Sequence, residues 1–126
     1  MPMAKILLAD DHQLIRKGLR AIIERNKDWL ICGEAENGQE ALERTVELRP
    51  DLIILDVTMP ILNGLQVARQ IRQLVPEIRI LILSMHDSPQ LALEAVRAGA
   101  DAYLTKTEPP SKLLDTIAAL LNRSGR

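Results

Sequence analysis

Two stretches decide the fold: Ile6-Leu7-Leu8-Ala9 followed by Asp10-Asp11, and Leu52-Ile53-Ile54-Leu55 followed by Asp56. Each is a short apolar run, without alternation, stopped by a carboxylate. Such a run is too short for a helix and reads as a strand covered on both faces. Leu30-Ile31-Cys32-Gly33, Ile80-Leu81-Ile82-Leu83 and Ala102-Tyr103-Leu104 have the same character. Between the runs, apolar residues recur at helical spacing: Ile15, Leu19, Ile22 and Ile23; Ala41, Leu42 and Thr45; Val67, Ala68, Ile71 and Leu74; Leu113, Leu114, Ile117 and Leu121. Strands that alternate with helices imply right-handed crossovers onto a parallel sheet with helices on both faces. The expected class is α/β, doubly wound, with five strands and five helices.

The punctuation agrees. Asn37 with Glu40 three residues on reads as a capping box opening the second helix. Ser88 before Pro89 reads as an N-cap with proline at the first helical position of the fourth. Pro50 and Pro76 each close a helix before a strand. There is no internal repeat or linker, so residues 1–126 read as one domain, with residues 122–126 as a frayed tail or the start of a linker.

Composition excludes several function classes. Sixteen basic against seventeen acidic residues give a formal charge of −1, which offers no field for steering onto nucleic acid. With one Trp, one Tyr and no Phe, there is no aromatic platform for stacking bases. No apolar run approaches the roughly 18 residues a membrane span needs. The single Cys32 forms no internal disulfide, and Met1-Pro2-Met3-Ala4-Lys5 lacks a secretory apolar stretch, so a cytoplasmic setting is expected.

In an open α/β sheet, ligands bind outside the carboxyl ends of the strands, where strand order reverses. The residues there are Asp10-Asp11, Asp56, Ser84 and Thr105-Lys106. If the strand order is 2-1-3-4-5, the first and third strands are neighbours, and Asp10, Asp11 and Asp56 share one cleft. Two carboxylates about 6 Å apart at an effective dielectric near 20 repel by roughly 3 kcal/mol. A dication removes that cost, and oxygen ligands at an open edge suit magnesium. Lys106 with the hydroxyl of Ser84 or Thr105 completes the parts of a phosphoryl-transfer site, with Asp56 the candidate nucleophile. Taken singly, Asp10 or Asp11 reads as an N-cap, and Asp56, Ser84 and Lys106 as solvated loop residues; their joint placement is what points to chemistry. His12 and His86 have no spacing that suggests zinc ligands and read as exposed residues. Gly-rich phosphate loops, G-x-S-x-G and H-E-x-x-H are all missing.

These residues resemble the receiver domain of bacterial two-component response regulators, whose fold is flavodoxin-like. The resemblance covers essentially the whole chain and rests on Asp10-Asp11, on Asp56 within Leu55-Asp56-Val57-Thr58-Met59-Pro60 followed by Asn63-Gly64, on Ser84, and on Gly99-Ala100 leading to Tyr103-Leu104-Thr105-Lys106. Ser84-Met85-His86-Asp87 and Arg97-Ala98-Gly99-Ala100-Asp101-Ala102-Tyr103 look most like the NarL/FixJ (LuxR-type) group. Members of that group usually carry a C-terminal helix-turn-helix domain, expected here outside the 126 residues. The resemblance implies that Asp56 takes a phosphoryl group from a sensor histidine kinase. It also implies that Asp10, Asp11, Asp56 and the main-chain carbonyl of Thr58 hold Mg2+, with Mn2+ as the substitute. Lys106 would then contact phosphate oxygens, Ser84 and Tyr103 would form the switch, and Thr58 and His86 would tune phosphoryl lifetime. One departure matters: the family commonly has a cis proline after the lysine, whereas Thr107 follows Lys106. A cis bond costs a non-proline residue about 2.5–4 kcal/mol, so the aim of Lys106 is in question.

Two other readings stay open. A free-standing receiver would act through protein contacts alone. A magnesium-dependent, haloacid-dehalogenase-like phosphatase would also use an aspartate nucleophile, but Thr58 stands where its second Asp belongs. In the fourth helix, Leu91 and Leu93 lie about 200° apart and cannot both face the sheet. The exposed one is either an ordinary surface leucine or part of a partner or homodimer patch.

Overall fold

The computed structural model describes residues 3–122. Strand and helix alternate as β1 (Ala4–Ala9), α1 (Gln13–Ile23), β2 (Trp29–Ala35), α2 (Gly38–Leu48), β3 (Leu52–Asp56), α3 (Gly64–Leu74), β4 (Arg79–Ser84), α4 (Pro89–Arg97), β5 (Ala102–Thr105) and α5 (Pro110–Asn122). Every expected apolar run falls inside a strand. The sheet has the order β2-β1-β3-β4-β5 and all pairings are parallel. The chain steps outward from β1 to β2 and then returns past β1 to β3, so the order reverses between β1 and β3. Of the expected tail 122–126, Asn122 is the last residue of α5, and residues 123–126 lie outside the described residues.

The two-residue period of a strand sorts the core. Leu7, Ala9, Ile53, Leu55, Ile80 and Ile82 point to one face, against α2, α3 and α4. Ile6, Leu8, Ile54, Leu81 and Leu83 point to the other, where Ile23 of α1 and Leu113, Ile117 and Leu120 of α5 cover them. All of β3 is buried, as its unbroken apolar run requires. In α5 the third buried position is Leu120, while Leu114 and Leu121 are half-buried, so the inward stripe is turned slightly from the one expected.

Helix ends are set by local chemistry. Asn37 accepts from the Glu40 amide at 2.8 Å, but Glu40 reaches back to the Glu36 amide rather than to Asn37, so the expected capping box closes one residue early. The complete box is at α3, where Asn63 and Gln66 exchange bonds at 2.9 Å. Ser88 caps α4 as expected, accepting from the Leu91 amide at 3.2 Å. In α4, Leu93 is exposed and Leu91 half-buried, which settles the question of two leucines on opposite faces.

Two glycines give opposite predictions. A Cβ on Gly64 would lie 2.3 Å from the Asp56 carbonyl oxygen, which the sheet holds in place, whereas one on Gly18 within α1 meets nothing within 4 Å. In urea denaturation, Gly64→Ala is expected to lower stability by about 2 kcal/mol or more. Gly18→Ala is expected to raise it by roughly 0.5–1 kcal/mol, through helix propensity and a less flexible unfolded chain.

Candidate functional site

The carboxyl ends of β1, β3, β4 and β5 converge as the strand order requires. Lys106 Nζ lies 2.7 Å from Asp10 Oδ2 and 3.1 Å from Asp56 Oδ1, with all three side chains at most 7% exposed. A buried ion is tolerated only when it is paired and hydrogen-bonded, and here one ammonium serves two carboxylates. No cis peptide bond occurs among the described residues. Lys106 reaches both acids with Thr107 after it in place of a proline, its own amide donating to the Ser84 carbonyl at 2.7 Å.

Charge in this pocket is unevenly balanced. Burial pushes the Asp56 carboxyl above the usual aspartate range, and the Asp10 charge adds to the push; Lys106 and the Thr58 amide oppose it without cancelling it. Burial pulls the Lys106 ammonium down, but its bonds and charge pairing with Asp10 and Asp56 more than reverse this, so it stays charged. Asp56 is thus the acid with unmet demand for positive charge.

Asp10 caps no helix, against the reading of it taken singly. Its Oδ1 accepts from the His12 amide at 2.8 Å and its Oδ2 from Lys106. Its main-chain carbonyl accepts from Arg16 Nη1, and Arg16 Nε is anchored on Glu34 at 2.7 Å. The N-cap of α1 is instead His12, whose side chain makes no cap bond. The His12 ring lies against the acids, with Nδ1 3.2 Å from Asp10 Oδ1 and 3.0 Å from Asp11 Oδ1. Arg16 and His12 are the two site residues that sequence reasoning missed. Arg16 gives no signal in a helix pattern, whereas the signal for His12 is its place directly after the acid pair.

One ligand atom from each of Asp10, Asp11, His12 and Asp56 lies within 4.8 Å of the others, and three of the four are carboxylate oxygens. That donor set fits a hard dication that keeps several waters.

Ser84 is buried, and its Oγ accepts from the His86 amide at 3.0 Å. The Tyr103 hydroxyl donates to the His86 carbonyl at 2.5 Å. Tyr103 therefore stands apart from the carboxylates but is joined to Ser84 through the backbone of one residue. Thr105 pairs with Thr107 at 2.9 Å rather than turning to the acids. Thr58 and His86 are exposed. Beside Lys106, a mostly apolar cleft of about 370 Å³ runs between α1 and α5, lined by Leu14, Ile15, Leu19, Leu104 and Leu113 among others. Among the described residues no helix is long and apolar enough to cross a membrane.

Comparison with known proteins bears on this geometry. The sequence profile of the family described as "Response regulator receiver domain" matches residues 6–118. The transcriptional regulatory protein YdfI of Bacillus subtilis (strain 168) is 38% identical over 94% of this chain and 55% of its own length. The nitrate/nitrite response regulator protein NarL of Escherichia coli (strain K12) is 38% identical over 90% of this chain and 53% of its own. The chain spans about half the length of the curated relatives it matches. Among solved structures, a LuxR-family response regulator from Aurantimonas sp. SI85-9A1 superposes with a TM-score of 0.91 at 39% identity, covering 95% of this chain and 86% of that one. The signal receiver domain of the putative response regulator NarL from Mycobacterium tuberculosis gives 0.92 at 29% identity, covering both chains fully. Profile, relatives and fold agree over nearly the whole chain, and it belongs to the response regulator receiver domain family, among the NarL/LuxR-type regulators.

Proposed function

We propose that Asp56 accepts a phosphoryl group from a phosphohistidine on a sensor histidine kinase, with Mg2+ bound. The modified domain then regulates transcription through a C-terminal helix-turn-helix domain outside these 126 residues. The observation that carries the reading is the buried Asp56 carboxylate with Lys106 fixed 3.1 Å away by Asp10. The transcriptional half rests on the names and the roughly doubled length of the relatives. The reading places the chain in the cytoplasm, where the ATP that charges a kinase is found.

An Asp56 oxygen attacks phosphorus in line as the bond from phosphorus to the imidazole nitrogen breaks, and the imidazole leaves. Receiver domains bind Mg2+ through an acidic pocket, and here Asp10, Asp11, Asp56 and the Thr58 carbonyl would hold it, one of the acid pair through water. The ion, or Mn2+ in its place, supplies charge neutralisation to the phosphoryl oxygens. Lys106 would add its own positive charge to those oxygens, and it is held charged by Asp10 and Asp56. Burial of Asp56 limits the access of water, while Thr58 and His86 stand at the exposed rim where an attacking water must pass, which is how they tune lifetime.

The new group carries about −1.5 to −2 charges and strong acceptor oxygens. Ser84 answers by moving to donate its hydroxyl to the phosphoryl group, and that movement carries its Oγ away from the His86 amide from which it accepts. The loop carrying His86 then shifts, Tyr103 loses its anchor on the His86 carbonyl and turns inward, and α4 with exposed Leu93 and Val96 is repacked. That surface is the one offered to a partner or a second copy. Two pre-existing packings are biased by a contact only one of them can make. The kinase's phosphohistidine must be brought to the Lys106 side of the site, where the α1–α5 cleft, with Leu14 82% exposed at its rim, offers the apolar docking surface.

A small phosphodonor with magnesium should add one acid-labile phosphoryl group per chain, read by intact mass, and Asp56→Asn should add none; labelling that persists in the variant overturns the assignment. Leu14→Lys should leave that reaction intact and slow transfer from the kinase at least tenfold. Stability gives a third check. A raised Asp56 pKa means stability is full below the unfolded carboxylate value of about 3.9 and is lost as pH rises through the folded value. Asp56→Asn should therefore raise the metal-free Tm at pH 7 by about 3 °C or more. The gain should shrink as pH falls toward 4, and the variant should respond less to magnesium.

A further inference from the structure

We propose that His12 is a fourth protein donor to the cation in this pocket, and that it favours dications accepting imidazole nitrogen, manganese modestly and cobalt strongly, over magnesium. This rests on the reading that the pocket holds a dication and asks which one it prefers. The observation is geometric. Donors about 2.1 Å from an octahedral centre lie about 3.0 Å apart when adjacent. His12 Nδ1 is 3.0 Å from Asp11 Oδ1 and 3.2 Å from Asp10 Oδ1, and all four candidate donor atoms fall within 4.8 Å. A single ion can therefore be reached by Nδ1 and the carboxylates with only small side-chain movements.

The ring's hydrogen bond is to the acids themselves, with Nδ1 the donor to Asp10 Oδ1 and close against Asp11 Oδ1. His12 is the N-cap residue of α1, in extended conformation, yet its side chain caps nothing. A cation would displace the bond to Asp10: at 63% side-chain exposure the ring has water around it, so its hydrogen can move to Nε2 while Nδ1 turns its lone pair to the ion. Imidazole suits the later first-row dications, whereas magnesium gains little from nitrogen and prefers oxygen and water.

The test is calorimetric titration of the chain with Mg2+, Mn2+ and Co2+, for wild type, His12→Asn and His12→Ala. Expected is a Mg2+ Kd changed less than twofold in both variants, a Mn2+ Kd weakened about threefold, and a Co2+ Kd weakened tenfold or more. Pulsed electron paramagnetic resonance of the Mn2+ complex should show directly bound imidazole nitrogen in wild type and none in His12→Asn, although the other histidine, His86, is retained. Equal weakening for all three ions, unchanged Co2+ affinity, or no nitrogen coupling in wild type overturns the role of His12. Failure of wild type to bind any of the ions, or binding unaffected by Asp11→Asn, would instead sink the cation site itself.

Discussion

One ammonium shared between two buried carboxylates holds the working end of this molecule together. Lys106 comes from the end of β5, Asp10 from β1 and Asp56 from β3, so the contact joins residues 96 apart in the chain. It exists because the strand order reverses between β1 and β3 and brings the ends of these strands together. A parallel sheet buried on both faces leaves its polar groups to the strand ends, and its ligands to the carboxyl ends. Without Lys106 the two acids would face each other unpaired in a poorly solvated cleft, at a cost of several kcal/mol. With it, the pocket is still short of positive charge at Asp56, and that shortfall makes it receptive to a dication.

The same constraint gives the proposed phosphorylation a route through the structure. Ser84 and Lys106 sit at the ends of neighbouring strands, and the Lys106 amide donates to the Ser84 carbonyl. Ser84 and Tyr103 are both bonded to the backbone of His86, one to its amide and one to its carbonyl. On the proposed mechanism, a charge added at Asp56 draws Ser84 toward it and so moves the oxygen that accepts from the His86 amide. The coupling is a chain of three hydrogen-bonding groups rather than a diffuse loosening of the helix.

The strands were legible because a doubly buried strand has no choice of composition: Leu52 to Leu55 admit no other reading in a chain with helical periods on either side, whereas their order is implied by the family resemblance and not by the runs themselves. The acids and Lys106 were legible because strand ends are where such a sheet must place its polar residues. What escaped was set by side-chain reach. Glu40 could return to Asn37 or to Glu36, and sequence spacing does not distinguish one backbone amide from the next. In α5, Leu120 and Leu121 differ by about 100° of helix rotation, and the tilt of the helix on the sheet decides which goes inward. His12 has no partner histidine to give a metal-binding spacing; its partners are the two carboxylates just before it.

The central claim is that charge added at Asp56 is read through the His86 peptide. The direct measurement is amide nuclear magnetic resonance of the chain with and without beryllofluoride and magnesium. The largest shifts should fall at Ser84, His86, Tyr103 and Lys106 and extend into α4, with the outer strand around Leu30 to Cys32 nearly unchanged. Shifts confined to Asp10, Asp11 and Asp56, with His86 and Tyr103 unmoved, would contradict it.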